Sequence, residues 1–363
     1  MSRADSPSPN ASVAVVGAGI IGMSTAWRLA QSGWRVTVYD QSSIGGEASW
    51  AGAGMLSPGG EIESASQLAT LAIESRRLYP EFARELEQTS GVDIDYQECG
   101  GLDLAYSTAE LAALEEKAAR QAALDISSKP VTPAHVAQFW PRIRREGLAG
   151  ARFYPGDAIV NPRQVLAALG VACEKLGVSL KPNCAVTGAE LSGDAILVHN
   201  PPALDKFDCV VIAAGAWSNS IEVSGVPPLP AVQPVKGHLI GYQQPDQTCS
   251  TILRYGHTYL LQRSNGLLVV GASVEHVGFN RDLKRDIVSS LIEQAGWVLP
   301  HLSETSHSEA WIGFRPASET LRLGSWYSPH FYLAYGHYRN GILLAPLSAQ
   351  RLASEINANF EMR

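Results

Sequence analysis

No apolar stretch in this sequence reaches the ~18 residues that a membrane-spanning helix needs, so no membrane association is expected. No basic block stands out either. The formal net charge is −7, which argues against nucleic acid as a partner. Cys-x-x-Cys pairs are missing. The five cysteines (Cys99, Cys173, Cys184, Cys209 and Cys249) are odd in number and scattered. They argue against a disulfide framework or a zinc site, leave no metal to assign, and point to a reducing, cytoplasmic compartment. The opening "MSRADSPSPNAS" lacks the apolar core of a secretory signal, and residues 1–10 read as a disordered leader. What is present is 45% hydrophobic and 17% charged residues over 363 positions, a globular chain long enough for two domains.

The most informative stretch is "VAVVGAGIIGMSTAWRLAQSGWRVTVYD". Val13 to Val16 form a short apolar run, as in a strand buried on both faces. Gly17, Gly19 and Gly22 follow in G-x-G-x-x-G spacing, and Met23, Ala26, Trp27 and Ala30 then fall on one helix face. A second strand ends at Asp40. Gly17 permits the tight turn, Gly19 the approach of a pyrophosphate, and Gly22 close helix–strand packing. The helix N-terminus offers unpaired N–H groups to phosphates, and Asp40 can accept from ribose hydroxyls. This context marks a dinucleotide site without separating FAD from NAD. The separation comes from "SIGGEASWAGAGMLSP", a second small-residue segment that suits a backbone lying against a large flat ligand.

Further along, 64–89 reads as a helix marked by Leu68, Leu71, Leu78, Phe82 and Leu86. "GVDIDYQECGGLDLAYS" alternates like a hairpin, and 108–123 reads as an exposed helix. Asn161 and Pro162 open another helix, which Gly177 stops. Cys209 to Ala213 form a buried strand ending at Ala214 and Gly215, where a ligand can approach its carboxyl end. From Pro227 the text turns to antiparallel strands, with a helix near 283–296. "FYLAYGHYRNGILLAP" then gives strand, glycine turn and helix, with Ala345, Ala349, Leu352 and Ile356 on one face.

Taken together, "VVGAGIIG", "GGEASWAGAGML", "SGVDI", "VVIAAGAWS", "PVKGHL", "LLVVGAS", "WIGFRP" and "GHYRNGILLAP" resemble the D-amino-acid oxidase superfamily of flavoproteins, in its glycine oxidase branch linked to the thiazole half of thiamine. The resemblance implies an α/β fold. A Rossmann-like FAD-binding domain would be built from 11–88, 150–225 and 308–363. A substrate domain with a mainly antiparallel sheet would come from 89–149 and 226–307. It implies non-covalent FAD, because no cysteine follows Cys249 to anchor the flavin. Cofactor contacts are implied at Ile20, Ile21, Asp40, Gln41, Ala48, Ser49, Ala53, Gly54, Met55 and Val186. They continue through Gly336, His337, Tyr338, Arg339, Asn340, Gly341, Ile342 and Leu343. Arg315 would grip the substrate carboxylate, with Tyr259 nearby and Arg339 at the flavin end.

The implied reaction is oxidation of glycine, sarcosine or a small D-amino acid, with oxygen reduced to hydrogen peroxide. A guanidinium fork suits the carboxylate, and a neutral amine needs no carboxylate base. A C-terminal helix starting near Gly341 would stabilise negative charge on the reduced flavin, with Arg339 adding to it. Two departures bear on side-chain preference: the Asp-Gly-x-Pro run often found after "RP" is replaced by "SETLRLG", and Val274-Glu275-His276 stands where a longer apolar residue is usual. A dehydrogenase passing electrons to a quinone or carrier, a non-catalytic dinucleotide sensor and a homo-oligomer all stay open.

Overall fold

The computed structural model describes residues 11–244 and 249–361; the leader expected at 1–10 lies outside the described residues. The strand Ser12–Val16 is buried along its whole length. It lies inside a six-stranded sheet whose spatial order is 322–325, 331–335, 209–212, 12–16, 35–39, 179–181. Neighbours run parallel, except that Arg322–Ser325 is antiparallel to Phe331–Tyr335 at one edge. A parallel sheet must be covered on both faces, which is why these strands are continuous apolar runs. On one face the helix Ile20–Gln31 packs against Pro162–Lys175 and Gly341–Glu361. Trp27 there meets Phe82 edge to face at 5.7 Å. A four-stranded sheet covers the other face, with Ile196 and Val198 packed on Ala14, Val16 and Ile212.

Local chemistry sets the helix ends. The Ser66 hydroxyl accepts from the Ala69 N–H at 3.0 Å to open Gln67–Ser90, and Gly91 closes that helix at φ +80°. Asn161 caps Pro162–Lys175 through the Arg163 N–H at 3.2 Å.

The second layer is an eight-stranded sheet ordered 309–317, 233–243, 267–271, 258–262, 252–255, 101–105, 150–154, 129–131. Its ladders are antiparallel except where Ile252–Tyr255 meets Gly101–Ala105. Alternation along the strands separates two cores. Leu260, Leu268 and Val270 join Leu291 and Ala295 of the helix Arg285–Val298. Tyr259, Leu261 and Val269 turn to the opposite face, toward Ala51 and Ala53.

The hairpin expected in 91–107 is not formed. Only Gly101–Ala105 is a strand there, and its partners are Gly150–Tyr154 and Ile252–Tyr255. Period-two alternation marks an extended chain and says nothing of its partner, and here the strand is buried at every position. The Asp95 carboxylate instead accepts from the Ser264 N–H at 3.0 Å, tying this extended segment to a distant turn. The strand Glu309–Ala317, grouped from sequence with the dinucleotide segments, is hydrogen-bonded to Gln233–Gln243 of the larger sheet.

Candidate active site

The glycine-rich turn is built on steric necessity. Gly17 has φ +110°, and a Cβ there would lie 2.4 Å from the Ala213 carbonyl oxygen. A Cβ on Gly22 would come within 1.9 Å of the Gly17 carbonyl oxygen. The turn therefore closes only with hydrogen at both positions. Ser49 reaches in from the second small-residue segment, its Oγ accepting from the Ile20 N–H at 3.0 Å. Asp40 ends the second strand. Its Oδ2 accepts from the Ala18 N–H at 2.8 Å and its Oδ1 from the Ser42 N–H at 2.8 Å.

These groups line a long cleft between the two large sheets. Its space, open solvent at the mouth included, is about 1730 Å³. The N-termini of Ile20–Gln31 and Gly341–Glu361 both open onto it. Of the residues singled out from sequence, Gly22 and Gly336 alone are absent from the wall. Gly22 acts through packing. Gly336, at φ +87°, bends the chain where a Cβ would meet Ser318 at 2.9 Å. His337 lines the cleft, but its Nε2 is 3.0 Å from Ser348 Oγ, and burial pulls its pKa down to about 3. It is a neutral imidazole committed to the last helix.

Arg315, Tyr259, Arg339 and Glu61 line the cleft close enough to act on one another electrostatically. Arg315 is brought there by the strand Glu309–Ala317, opposite Val235. The neighbouring Gly237 makes room, since a Cβ on it would be 2.5 Å from Arg315 Nη1. Nη1 donates to the Ser273 carbonyl at 3.0 Å. Among the described residues no carboxylate comes within ion-pair distance of Arg315. Burial holds its pKa below the usual arginine value, with Arg339 adding to the effect. The Tyr259 phenol is pushed up by burial, so it stays protonated. Arg339 has a partner: its Nη2 lies 3.2 Å from Glu61 Oε1.

Sequence reasoning missed Glu61, Trp217 and Glu47. Nothing local marks Glu61 among the chain's 35 acidic residues. Trp217 lies just beyond the strand read at Cys209 to Ala213 and carried no reading of its own. In the structure it stacks on Phe279, centroids 4.7 Å apart, while Arg281 Nη2 meets Glu47 Oε1 at 2.6 Å. Val274 is 48% exposed and is not among the residues that line the cleft.

The DAO family, described as FAD dependent oxidoreductase, matches residues 12–355. The chain belongs to this family. Among similar proteins, the glycine oxidase of Pseudomonas putida is 32% identical over 345 residues, covering 93% of this chain and 92% of that protein. A bifunctional protein ThiO/ThiG of Nostoc sp. is 32% identical over 95% of this chain, which spans 52% of that longer protein. A crystal structure of glycine oxidase from Geobacillus kaustophilus superposes with a TM-score of 0.89 at 29% identity, over 97% of this chain and 95% of that one. As a DAO-family oxidoreductase the protein uses FAD, and the cleft has the features that cofactor requires. It has small-residue walls, a carboxylate at the end of the second strand, and two helix N-termini facing inward.

Proposed function

We propose that this flavoprotein oxidises the amine of glycine, sarcosine or a small D-amino acid to an imine, which water hydrolyses to the oxo acid and the free amine. The observation that carries the reading is Arg315, a half-buried guanidinium lining the cleft near Tyr259 and lacking an acidic partner among the described residues. Bound FAD supplies the two-electron acceptor for the hydride leaving the α-carbon, and oxygen carries the electrons away as hydrogen peroxide. Arg315 binds the substrate carboxylate through two charge-assisted bonds and so fixes the α-carbon. The Tyr259 phenol keeps its proton and donates. Neither His337, bound to Ser348, nor Glu61, bound to Arg339, is poised as a base. A substrate amine arriving neutral already has its lone pair and needs none. Similarity to bifunctional ThiO/ThiG proteins supports a supply role in making the thiazole half of thiamine, and the odd number and scatter of the five cysteines support a cytoplasmic setting.

The purified protein is expected to be yellow, and acid precipitation should release its FAD to the supernatant. Peroxide release on adding glycine, sarcosine and small D-amino acids tests the reaction. Peroxide from bulky or L-configured substrates in preference would overturn the substrate class. Flavin bleaching without peroxide would transfer the reading to a dehydrogenase.

Asp40 is assigned to the ribose of FAD. After its bonds to Ala18 and Ser42, its Oδ2 retains a lone pair at the cleft wall. A charged hydrogen bond is worth ~1.5–3 kcal/mol, so Asp40→Asn should raise the Kd for FAD about ten- to a hundred-fold. Turnover of the FAD-saturated variant should change less than this. Titrating apoprotein with FAD and following fluorescence gives the Kd; an unchanged value would confine Asp40 to bracing the turn.

A further inference from the structure

Two guanidiniums line the substrate end of the cleft, and only one is available. Among the described residues Arg315 has no acidic partner, whereas Arg339 is held at 3.2 Å by Glu61. Half-exposed ion pairs on mobile side chains usually mean little. This one differs because its acid sits on a clamped backbone. Glu61 ends the short helix Pro58–Glu61. Behind that segment the Gly59 N–H donates to Asp157 Oδ1 at 3.1 Å. The buried Lys117 Nζ donates to the Gly60 carbonyl at 3.0 Å. The buried Gln121 Nε2 donates to the carbonyls of Gly59 and Ile62, at 2.7 and 2.6 Å. Arg254 bridges Asp103 and Asp157 beneath, its Nη1 lying 2.9 Å from Asp157 Oδ2. Burying this many charges under four residues costs desolvation energy. What it secures is the position of the backbone that carries Glu61.

On the reading that Arg315 receives the substrate carboxylate, we infer that Glu61 is a specificity-determining residue: it occupies Arg339 and so restricts the site to amines bearing a single carboxylate. A second acidic group entering the site meets a fixed carboxylate and a guanidinium already neutralised by it. Glycine, sarcosine and D-alanine present no such group. The electrostatics agree, since Glu61 supports the charge of Arg315 while Arg339 opposes it.

The test compares sarcosine with iminodiacetate, which is the same secondary amine carrying one more carboxylate. The readout is the ratio of kcat/KM for iminodiacetate over sarcosine, measured on holoenzyme. In Glu61→Gln this ratio should rise about ten-fold or more, the scale of exchanging a repulsive charge contact for an attractive one. Adding Arg339→Gln to Glu61→Gln should return the ratio toward the wild-type value. A ratio unchanged in Glu61→Gln, or a rise that survives loss of Arg339, overturns the inference. A second readout does not depend on turnover. Perturbation of the flavin absorbance by acetate and by malonate gives their affinities, and Glu61→Gln should tighten malonate about ten-fold relative to acetate. Wild-type protein that oxidises no amine would overturn the proposed reaction; unchanged relative malonate binding in Glu61→Gln would overturn the role of Glu61.

Discussion

Arg315→Ala lowers kcat/KM for glycine by roughly thirty- to several-thousand-fold, and Arg315→Lys falls between that variant and the wild type. The range follows from the ~2–5 kcal/mol lost when one partner of a desolvated charge pair is removed. Lysine keeps the charge but not the fork, and its ammonium would have to replace both the carboxylate bonds and the 3.0 Å bond to the Ser273 carbonyl. The discriminating measurement adds an amine without a carboxylate. Its loss should be small, because Arg315 has nothing to hold on it. The FAD-to-protein ratio should barely move, since the segments proposed to hold FAD lie chiefly in the N-terminal turn and in 336–343. Equal losses on both amines would mean that Arg315 serves the flavin or the fold, and the anchor would then be Arg339.

The other large effect lies behind the cleft. Arg254→Leu should destabilise the protein by ~3–5 kcal/mol, because Asp103 and Asp157 are left buried without their shared guanidinium. The midpoint of thermal unfolding should fall by about 5 °C or more. The pH dependence has a definite sign. Burial already holds the Asp157 carboxyl above the usual range, with Arg254 opposing the rise. Removing Arg254 raises it further. A carboxyl whose folded pKa is raised contributes stability at pH values below its unfolded pKa and loses it as pH rises through the folded one. The deficit relative to wild type should therefore be greatest at neutral pH and shrink on acidification, as read by thermal melts of holoenzyme across that range. Replacing Asp103 and Asp157 by Asn in the same variant should recover part of the loss. A deficit below about 1 kcal/mol at neutral pH would show that solvent reaches this cluster.

The N-terminal unit was legible because several local signals coincide there: an apolar strand, glycines at steric contacts, a helix stripe and a terminal acid. Their spacing is contained in about thirty residues of sequence, although the contact that makes Gly17 necessary is with the distant Ala213. Arg315 and Tyr259 were reached by a different route, through short motifs that resemble a known family. The pairing of Glu61 with Arg339 had no such route, since it joins positions 278 apart. Strand partnership failed for the same reason. The alternation in 91–107 does not name a partner: Gly101–Ala105 is buried at every position, and its partner strands lie at 150–154 and 252–255. Glu309–Ala317 was misplaced with its sequence neighbours because register across a sheet leaves no mark in a single strand. His337 was expected as a cofactor contact; it lines the cleft, and its bond to Ser348 at 3.0 Å, which ties its ring to the last helix, is not marked in the sequence.

The larger sheet draws its strands from three separate stretches, 101–154, 233–271 and 309–317, with parts of the smaller sheets threaded between them. No single cut of the gene separates the two layers. Recombination between relatives at one crossover inside 106–308 would give each layer strands from both parents, and a crossover inside 244–308 would split the ladder between Gln233–Gln243 and Glu309–Ala317, which carries Arg315. Change in substrate range is therefore channelled into point substitutions along the cleft wall, and exchange of whole modules is disfavoured by the path of the chain.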